Sequence, residues 1–465
     1  MEELIKSPAQ APKENKMGTM PVPRLLFSMS LPMILSMLVQ ALYNIVDSVF
    51  VAMYDPVAGT AALTIAFPIQ NLMIAVAAGL GVGMNALLSR SLGEKNFQKA
   101  NHIAGQGFFL TFCGYLIFLV LGLFFVPAYV STQSVSNDLI QQYGSTYLSI
   151  VCIGCIAIFI EITCERLLQS TGRTVLSMVT QMTGAIINII LDPILIFTLD
   201  MGIAGAAIAT VIGQIVSAIL GIVFNLTCNK EIALRLRAFL PKWSLLREML
   251  AIGIPSVLMQ AIGSVMTFCM NKVLTSFPDC GVAAMNVFGI YFKLQSFVLM
   301  PIFGMNNGMV PIIAYNYGAR HRDRVMKTIR LSMIVAVSYM LLGLAAFQLF
   351  PEQLLGIFNA DAQMIQIGTV ALRTISCSFI FAGFCIISIS ACQALGKSIY
   401  SLFTSMGRQL VVLIPVAYLL SLTGNIDLVW LAFPIAEFAS VVLSTVFTVI
   451  VLRKLLPKDK NNVNS

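Results

Sequence analysis

The stretch of this 465-residue chain with the most chemical potential is Asn188-Ile-Ile-Leu-Asp192-Pro193-Ile-Leu-Ile-Phe197, which sets a carboxylate and then a proline inside an apolar run. From Thr174 to Leu199 there is no other charge. An ionised Asp near a bilayer core costs about 3 kcal/mol on insertion scales unless protein or water solvates it. Asn188 lies four residues earlier, so on a helix its amide shares a face with the carboxylate. Pro193 lacks an N–H and frees a carbonyl one turn back, which bends or loosens the backbone. An acid, an amide and a loosened backbone suit a proton or a small cation. The competing reading is a lone buried Asp, paired off to hold two helices together.

The surrounding composition requires a membrane. Hydrophobic residues make up 58% of the chain and charged ones 10%, with a mean hydropathy of +0.89, which excludes a water-soluble globule. At about 20 apolar residues per span, the pattern predicts twelve helices. Their approximate bounds are 24–53, 60–89, 101–126, 138–169, 174–199, 203–228, 245–275, 282–314, 326–350, 362–394, 398–421 and 427–452. Lys and Arg fall in the amino-terminal tail and after each even-numbered span, as at Arg90, Lys95, Arg166, Arg173, Arg235, Arg237, Arg320, Lys397, Arg408, Lys458 and Lys460. The opposite loops carry Asp55, Asp138, Asp200, Asp279, Glu352, Asp361 and Asp427, with Lys272 the nearest exception. The positive-inside rule then places both termini in the cytoplasm of a multi-pass plasma-membrane protein. It also accounts for the net charge of +8 without a nucleic-acid partner.

Residues 1–21 are polar, with mixed charge and Pro8, Pro12 and Pro21, and read as part of a disordered cytoplasmic tail over 1–23 without a cleavable signal. The ten cysteines lie almost wholly within spans and imply no disulfide framework. Cys152-Ile-Gly-Cys155 has redox or metal spacing but no second pair or nearby His, so packing is the simpler reading. Cys392-Gln-Ala-Leu-Gly396-Lys397-Ser398 resembles the end of a P-loop, yet Ala391 stands where the leading Gly is needed and no strand precedes it. No catalytic constellation or cofactor motif appears, so the reading is a non-enzymatic transporter driven by an ion gradient.

The chain is internally duplicated. Gly83-Met-Asn-Ala-Leu-Leu-Ser-Arg-Ser-Leu-Gly93 answers to Gly308-Met-Val-Pro-Ile-Ile-Ala-Tyr-Asn-Tyr-Gly318, and Gln169-Ser-Thr-Gly-Arg173 to Gln393-Ala-Leu-Gly-Lys397. With Pro32 matching Pro255 and Ala61-Ala-Leu63 matching Ala283-Ala-Met285, the offsets stay between 222 and 225 residues. Each half starts on the same side, so the repeats are parallel. The expected organisation is a tail (1–23), a six-helix lobe (24–228), a linker (229–244), a second six-helix lobe (245–454) and a tail (455–465).

By rise per residue, about 1.5 Å, Asp47 and Asp192 both reach the outer half of the membrane and can meet, with Thr210 at similar depth. The second lobe has its own buried charges, Lys293, Arg373 and Glu437, and Lys293 and Arg373 are expected to neutralise Glu437 or sit against carbonyls.

The repeated glycine loops, the Gln-x-x-Gly-Arg/Lys turns, Asn188–Phe197 and Val310-Pro-Ile-Ile-Ala-Tyr-Asn316 resemble the bacterial MATE (multidrug and toxic compound extrusion) transporters of the MepA-like and DinF-like branches, over residues 24–454. The resemblance implies a twelve-helix, two-lobed exporter that exchanges H⁺ or Na⁺ for small organic cations by alternating access. It also implies an amino-lobe cation site at Asp47 within Asn44-Ile-Val-Asp47, Glu165, Asn188, Asp192 and Thr210, with Na⁺ at Asp47 and Asp192 if that is the ion. Glu165 adjoins Arg166, and a salt bridge there competes with a site role; Glu161, one turn deeper, is the alternative. Asn306-Asn307 stands where some MepA-like relatives carry a Glu, which weighs against coupling in the second lobe. The expected partners are organic cations and membrane lipids, with the chain acting as a monomer. The main rival reading, a flippase for a lipid-linked precursor, calls for several cations in the central cleft.

Overall fold

The computed structural model describes residues 14–133, 138–233, 239–358 and 360–456. Arg235, Arg237, Lys458, Lys460 and the tail segments 1–13 and 457–465 lie outside the described residues. The described chain is helical, and ten helices are long and apolar enough to cross a membrane: Val22–Tyr54, Ala58–Gly93, Phe97–Gln133, Thr174–Thr198, Gly202–Thr227, Trp243–Leu274, Gly281–Gly318, Arg322–Leu349, Ser398–Ser421 and Ile426–Leu455. Two bent pairs, Asp138–Gly154 with Ile156–Ser170 (46°) and Ala362–Ser376 with Phe379–Ala394 (48°), complete twelve spans as the fourth and tenth. The bends fall at matching places in the two halves.

The halves share their helix ends as well. After the second and eighth spans the chain turns through left-handed Lys95 and Arg320, closed by bonds from Asn96 N–H to Ser91 C=O and from His321 N–H to Asn316 C=O. After the fourth and tenth it turns through left-handed Gly172 and Gly396, closed from Arg173 N–H to Leu168 C=O and from Lys397 N–H to Cys392 C=O. These six-to-one bonds satisfy carbonyls that a helix end would otherwise orphan. The second and eighth spans run several residues longer than the hydropathy pattern predicts, because their small and polar ends stay helical up to these turns.

The first span packs along the eighth and the second along the seventh, forming the boundary between lobes. Small residues let the backbones meet there. A Cβ on Gly79 would lie 2.9 Å from the Val257 nitrogen, one on Gly83 2.3 Å from the Met249 oxygen, and one on Gly308 2.8 Å from Ser30. Gly93 and Gly318, the paired glycines of the duplication, cross each other's helices: added Cβ atoms would lie 2.0 Å from the Tyr315 oxygen and 2.1 Å from the Arg90 oxygen. All of these approaches lie in the halves of the spans that lead to the Lys- and Arg-rich loops. Gly93→Ala is therefore expected to force the two helices apart at this crossing and lower the unfolding temperature while leaving the protein inserted, measured by thermal unfolding in detergent; an unchanged temperature would show that the seam yields freely.

Residues 14–21, expected to be part of a disordered tail, are ordered. Lys16–Thr19 forms one helical turn capped by the Asn15 side chain, with Met17 fully buried. An apolar anchor at Met17 outweighs the polar character of the segment around it.

Candidate functional site

Pro193 closes the straight part of the fifth span, and Ile194–Thr198 follows as a π-helical turn. The wider turn is a local answer to the hydrogen bond that proline cannot donate. It sits directly after Asp192, whose side chain is completely buried. Asn188 Nδ2 donates to Asp192 Oδ1 at 3.3 Å and to Thr210 Oγ1 at 3.4 Å, bringing together three of the residues the sequence singles out. Asp47, from the first span, stands within hydrogen-bonding reach of Asp192.

Beside this cluster lies a cavity of about 60 Å³ inside the first lobe. Asn188 and Thr210 line it, as do Glu161 and Glu165. The two glutamates are one helical turn apart and both line the same space. Arg166 does not pair with Glu165. Adjacent residues on a helix point about 100° apart, and the Arg166 guanidinium instead donates to Gln169 Oε1 at 2.9 Å and across the lobe boundary to Asn307 Oδ1 at 2.8 Å. Asn44 is not brought in: it is exposed, and Ser48 Oγ donates to its carbonyl.

Sequence reasoning missed the neutral members of the site. Gln40, Tyr43, Gln181 and Gln214 line the cavity, Gln181 Nε2 donates to Gln40 Oε1 at 3.2 Å, and Gln70 Nε2 donates to the Tyr147 hydroxyl at 3.2 Å. The available signal was spacing: Gln40, Tyr43 and Asp47 recur at helical intervals on one face, as do Gln181, Asn188 and Asp192, and Thr210 with Gln214. Six buried oxygens here lack a hydrogen-bond donor among the described residues: Asp47 Oδ1, Glu165 Oε1, Gln181 Oε1, Asn188 Oδ1, Asp192 Oδ2 and Gln214 Oε1. No Lys or Arg lines the cavity.

In the second lobe the buried charges pair differently from expectation. Glu437 Oε1 accepts from Arg408 Nη1, and the pair is mostly shielded, with side chains 27% and 10% exposed for Arg408 and Glu437. Arg408 is not a loop residue: it lies in the π-helical turn Gly407–Leu413, within the eleventh span. Lys293 and Arg373 are both exposed and not buried, and Lys293 holds its ammonium 5.7 Å from the Phe358 ring centre. Reading the basic residues as a loop series hid Arg408, because it stands well past the cap at Lys397.

Twelve spans in two duplicated lobes, with a cluster of acids and amides around a cavity inside the first and a boundary made of glycines, define a two-lobed membrane transporter. The MatE family profile matches residues 32–194 and again 255–419, once per lobe. The chain belongs to the MATE family. It is 27% identical to the multidrug export protein MepA of Staphylococcus haemolyticus, over 93% of this chain and 94% of that protein. Against MepA of Staphylococcus aureus strain MRSA252 the identity is 25%, over 95% and 97%. Among solved structures, the MATE multidrug transporter DinF-BH is 33% identical, covers 96% of this chain and 98% of its own, and superposes with a TM-score of 0.85. An outward-facing multidrug resistance MATE family transporter of the MOP superfamily, 24% identical, shares the fold with a TM-score of 0.87 over 96% and 99%.

Proposed function

We propose that this protein exports amphipathic organic cations from the cell in exchange for an inward-moving H⁺ or Na⁺. The observation that carries the coupling is the one-sided chemistry of the first-lobe site. Its unsatisfied groups are all oxygen acceptors, two of its acids stand side by side, and no basic side chain lines its cavity. Buried acceptors without donors are costly, and a proton or a small cation removes that cost in a way that an anion or a neutral apolar molecule cannot. The size agrees: a space of about 60 Å³ takes a small ion with a few waters. The drug is assigned to the space between the lobes, with the Lys- and Arg-rich end facing the cytoplasm. Ion and drug drive exchange because they favour different arrangements of the lobes.

The test is efflux of a fluorescent lipophilic cation from proteoliposomes under a pH gradient and, separately, a Na⁺ gradient. Gradient-dependent export under one of them is expected. Movement of a labelled lipid-linked precursor with no gradient-dependent cation export would favour the flippase reading and overturn this one.

A further inference from the structure

The segment before the first span belongs to neither the ion site nor the export path, yet it is tied to both lobes. On the first-lobe side, Asn15 Nδ2 donates to the Thr171 carbonyl at 3.1 Å and to both carboxylate oxygens of Glu231 at 2.8 Å, while Asn15 Oδ1 accepts from Met17 N–H at 2.8 Å. Thr171 belongs to the turn after the fourth span, and Glu231 follows the sixth. On the second-lobe side, the Met17 carbonyl accepts from Asn316 Nδ2 at 3.0 Å and from Arg324 Nη2 at 2.9 Å. Arg324 Nη2 also reaches the Met20 carbonyl at 2.7 Å, and Arg324 Nε donates to Asn316 Oδ1 at 2.9 Å, so the guanidinium is held as a fork. Met17 is fully buried between these groups, and a Cβ on Gly18 would already meet the Tyr315 ring at 3.2 Å.

We propose that Asn15, Asn316 and Arg324 are positioning residues of the transport cycle: they clamp residues 14–20 as a strap across the lobe boundary, and the strap must release before the lobes part at the Lys- and Arg-rich end. The inference rests on the reading that the lobes separate there during export. Its parts fit a releasable contact better than a permanent one. Apart from Met17 the strap buries little, and its grip is a small set of directional bonds, to backbone carbonyls and to the Glu231 carboxylate, that water can replace once the segment lifts. The bonds to Met17 and Met20 cannot survive separation, because their donors and the first-lobe anchors stand on opposite sides of the seam. Arg324 is suited to the task since one planar group meets two carbonyls and an amide at once, a geometry lysine does not reproduce.

The experiment reads lobe separation directly. Cysteines at exposed Glu94 and His321, in the turns that flank the seam, carry spin labels in the full-length protein in lipid nanodiscs, with neither drug nor ion gradient. Five variants are compared on this background: deletion of residues 1–20, Asn15→Ala, Asn15→Asp, Arg324→Gln and Arg324→Lys. Each should raise the ratio of long to short label distances, by about tenfold for the deletion and severalfold for the point changes, with Asn15→Asp also raising it because a second carboxylate then faces Glu231. Arg324→Lys should recover only part of the loss. If the deletion fails to insert, the point variants decide, since they leave the segment in place. Distances unchanged from the parent in inserted Asn15→Ala and Arg324→Gln overturn the proposal. The measurement needs no transport, so a protein whose lobes part on losing the strap but which exports no cation keeps this inference and sinks the export reading, and the reverse result separates them equally well.

Discussion

Replacing Asp192 by Asn should reduce ion-driven efflux to the level of protein-free liposomes while leaving a folded, inserted protein. The substitution keeps an oxygen able to accept the 3.3 Å bond from Asn188 Nδ2 and keeps the shape of a fully buried side chain, so packing is hardly disturbed. What disappears is the group that can gain and lose a proton or neutralise a cation beside Asp47. Asp47 comes to the same place from the first span, which packs along the fifth, so Asp47→Asn should have the same phenotype. Asn188→Ala removes one hydrogen-bond partner and no charge, a change of about 1 kcal/mol, and should slow exchange only severalfold. Full gradient-driven transport by Asp192→Asn would remove that carboxylate from the mechanism.

The second large effect is on stability. Glu437→Gln leaves the Arg408 guanidinium uncompensated in a mostly shielded place, and breaking such a pair costs about 3–5 kcal/mol. Thermal unfolding in detergent or lipid should therefore shift markedly downward, while Arg408→Met combined with Glu437→Leu should recover most of the loss, since two apolar groups leave no stranded charge. Ion exchange should persist in Glu437→Gln below its unfolding temperature, because its cationic partner is already supplied from the same lobe. Protons taken up per drug exported, measured in liposomes, decide between the halves: if Glu437→Gln uncouples transport and both Asp variants stay coupled, the first-lobe assignment is mistaken.

Much of this architecture was readable in the sequence because bilayers enforce simple rules. Span length, alternation of Lys and Arg between loops, and offsets near 224 residues need no knowledge of contacts. The same holds for Asp192, whose carboxylate is conspicuous in an apolar run. Gln40, Gln181 and Gln214 were less visible, since an amide in a span is only mildly costly and helical spacing alone cannot say which face meets a cavity. Arg408 with Glu437, and Arg166 with Asn307, unite residues from different spans, and such choices are set by packing. The strap escaped for the opposite reason: its composition is that of a disordered segment, and a single buried methionine with borrowed hydrogen bonds orders it.

The strap also constrains how the molecule is made. Met17 leaves the ribosome before any of the spans, yet the Asn316 amide that holds its carbonyl is 299 residues further on. At about 5–20 residues per second the segment around Met17 waits on the order of tens of seconds for that partner. For most of this interval the glycine face of the second span has no seventh span to meet and must be covered by lipid, by an insertion factor or by neighbouring helices. Closing the strap is therefore a late step, and a bulky group attached just ahead of it would be felt as a fault in assembly before it was felt as a fault in transport.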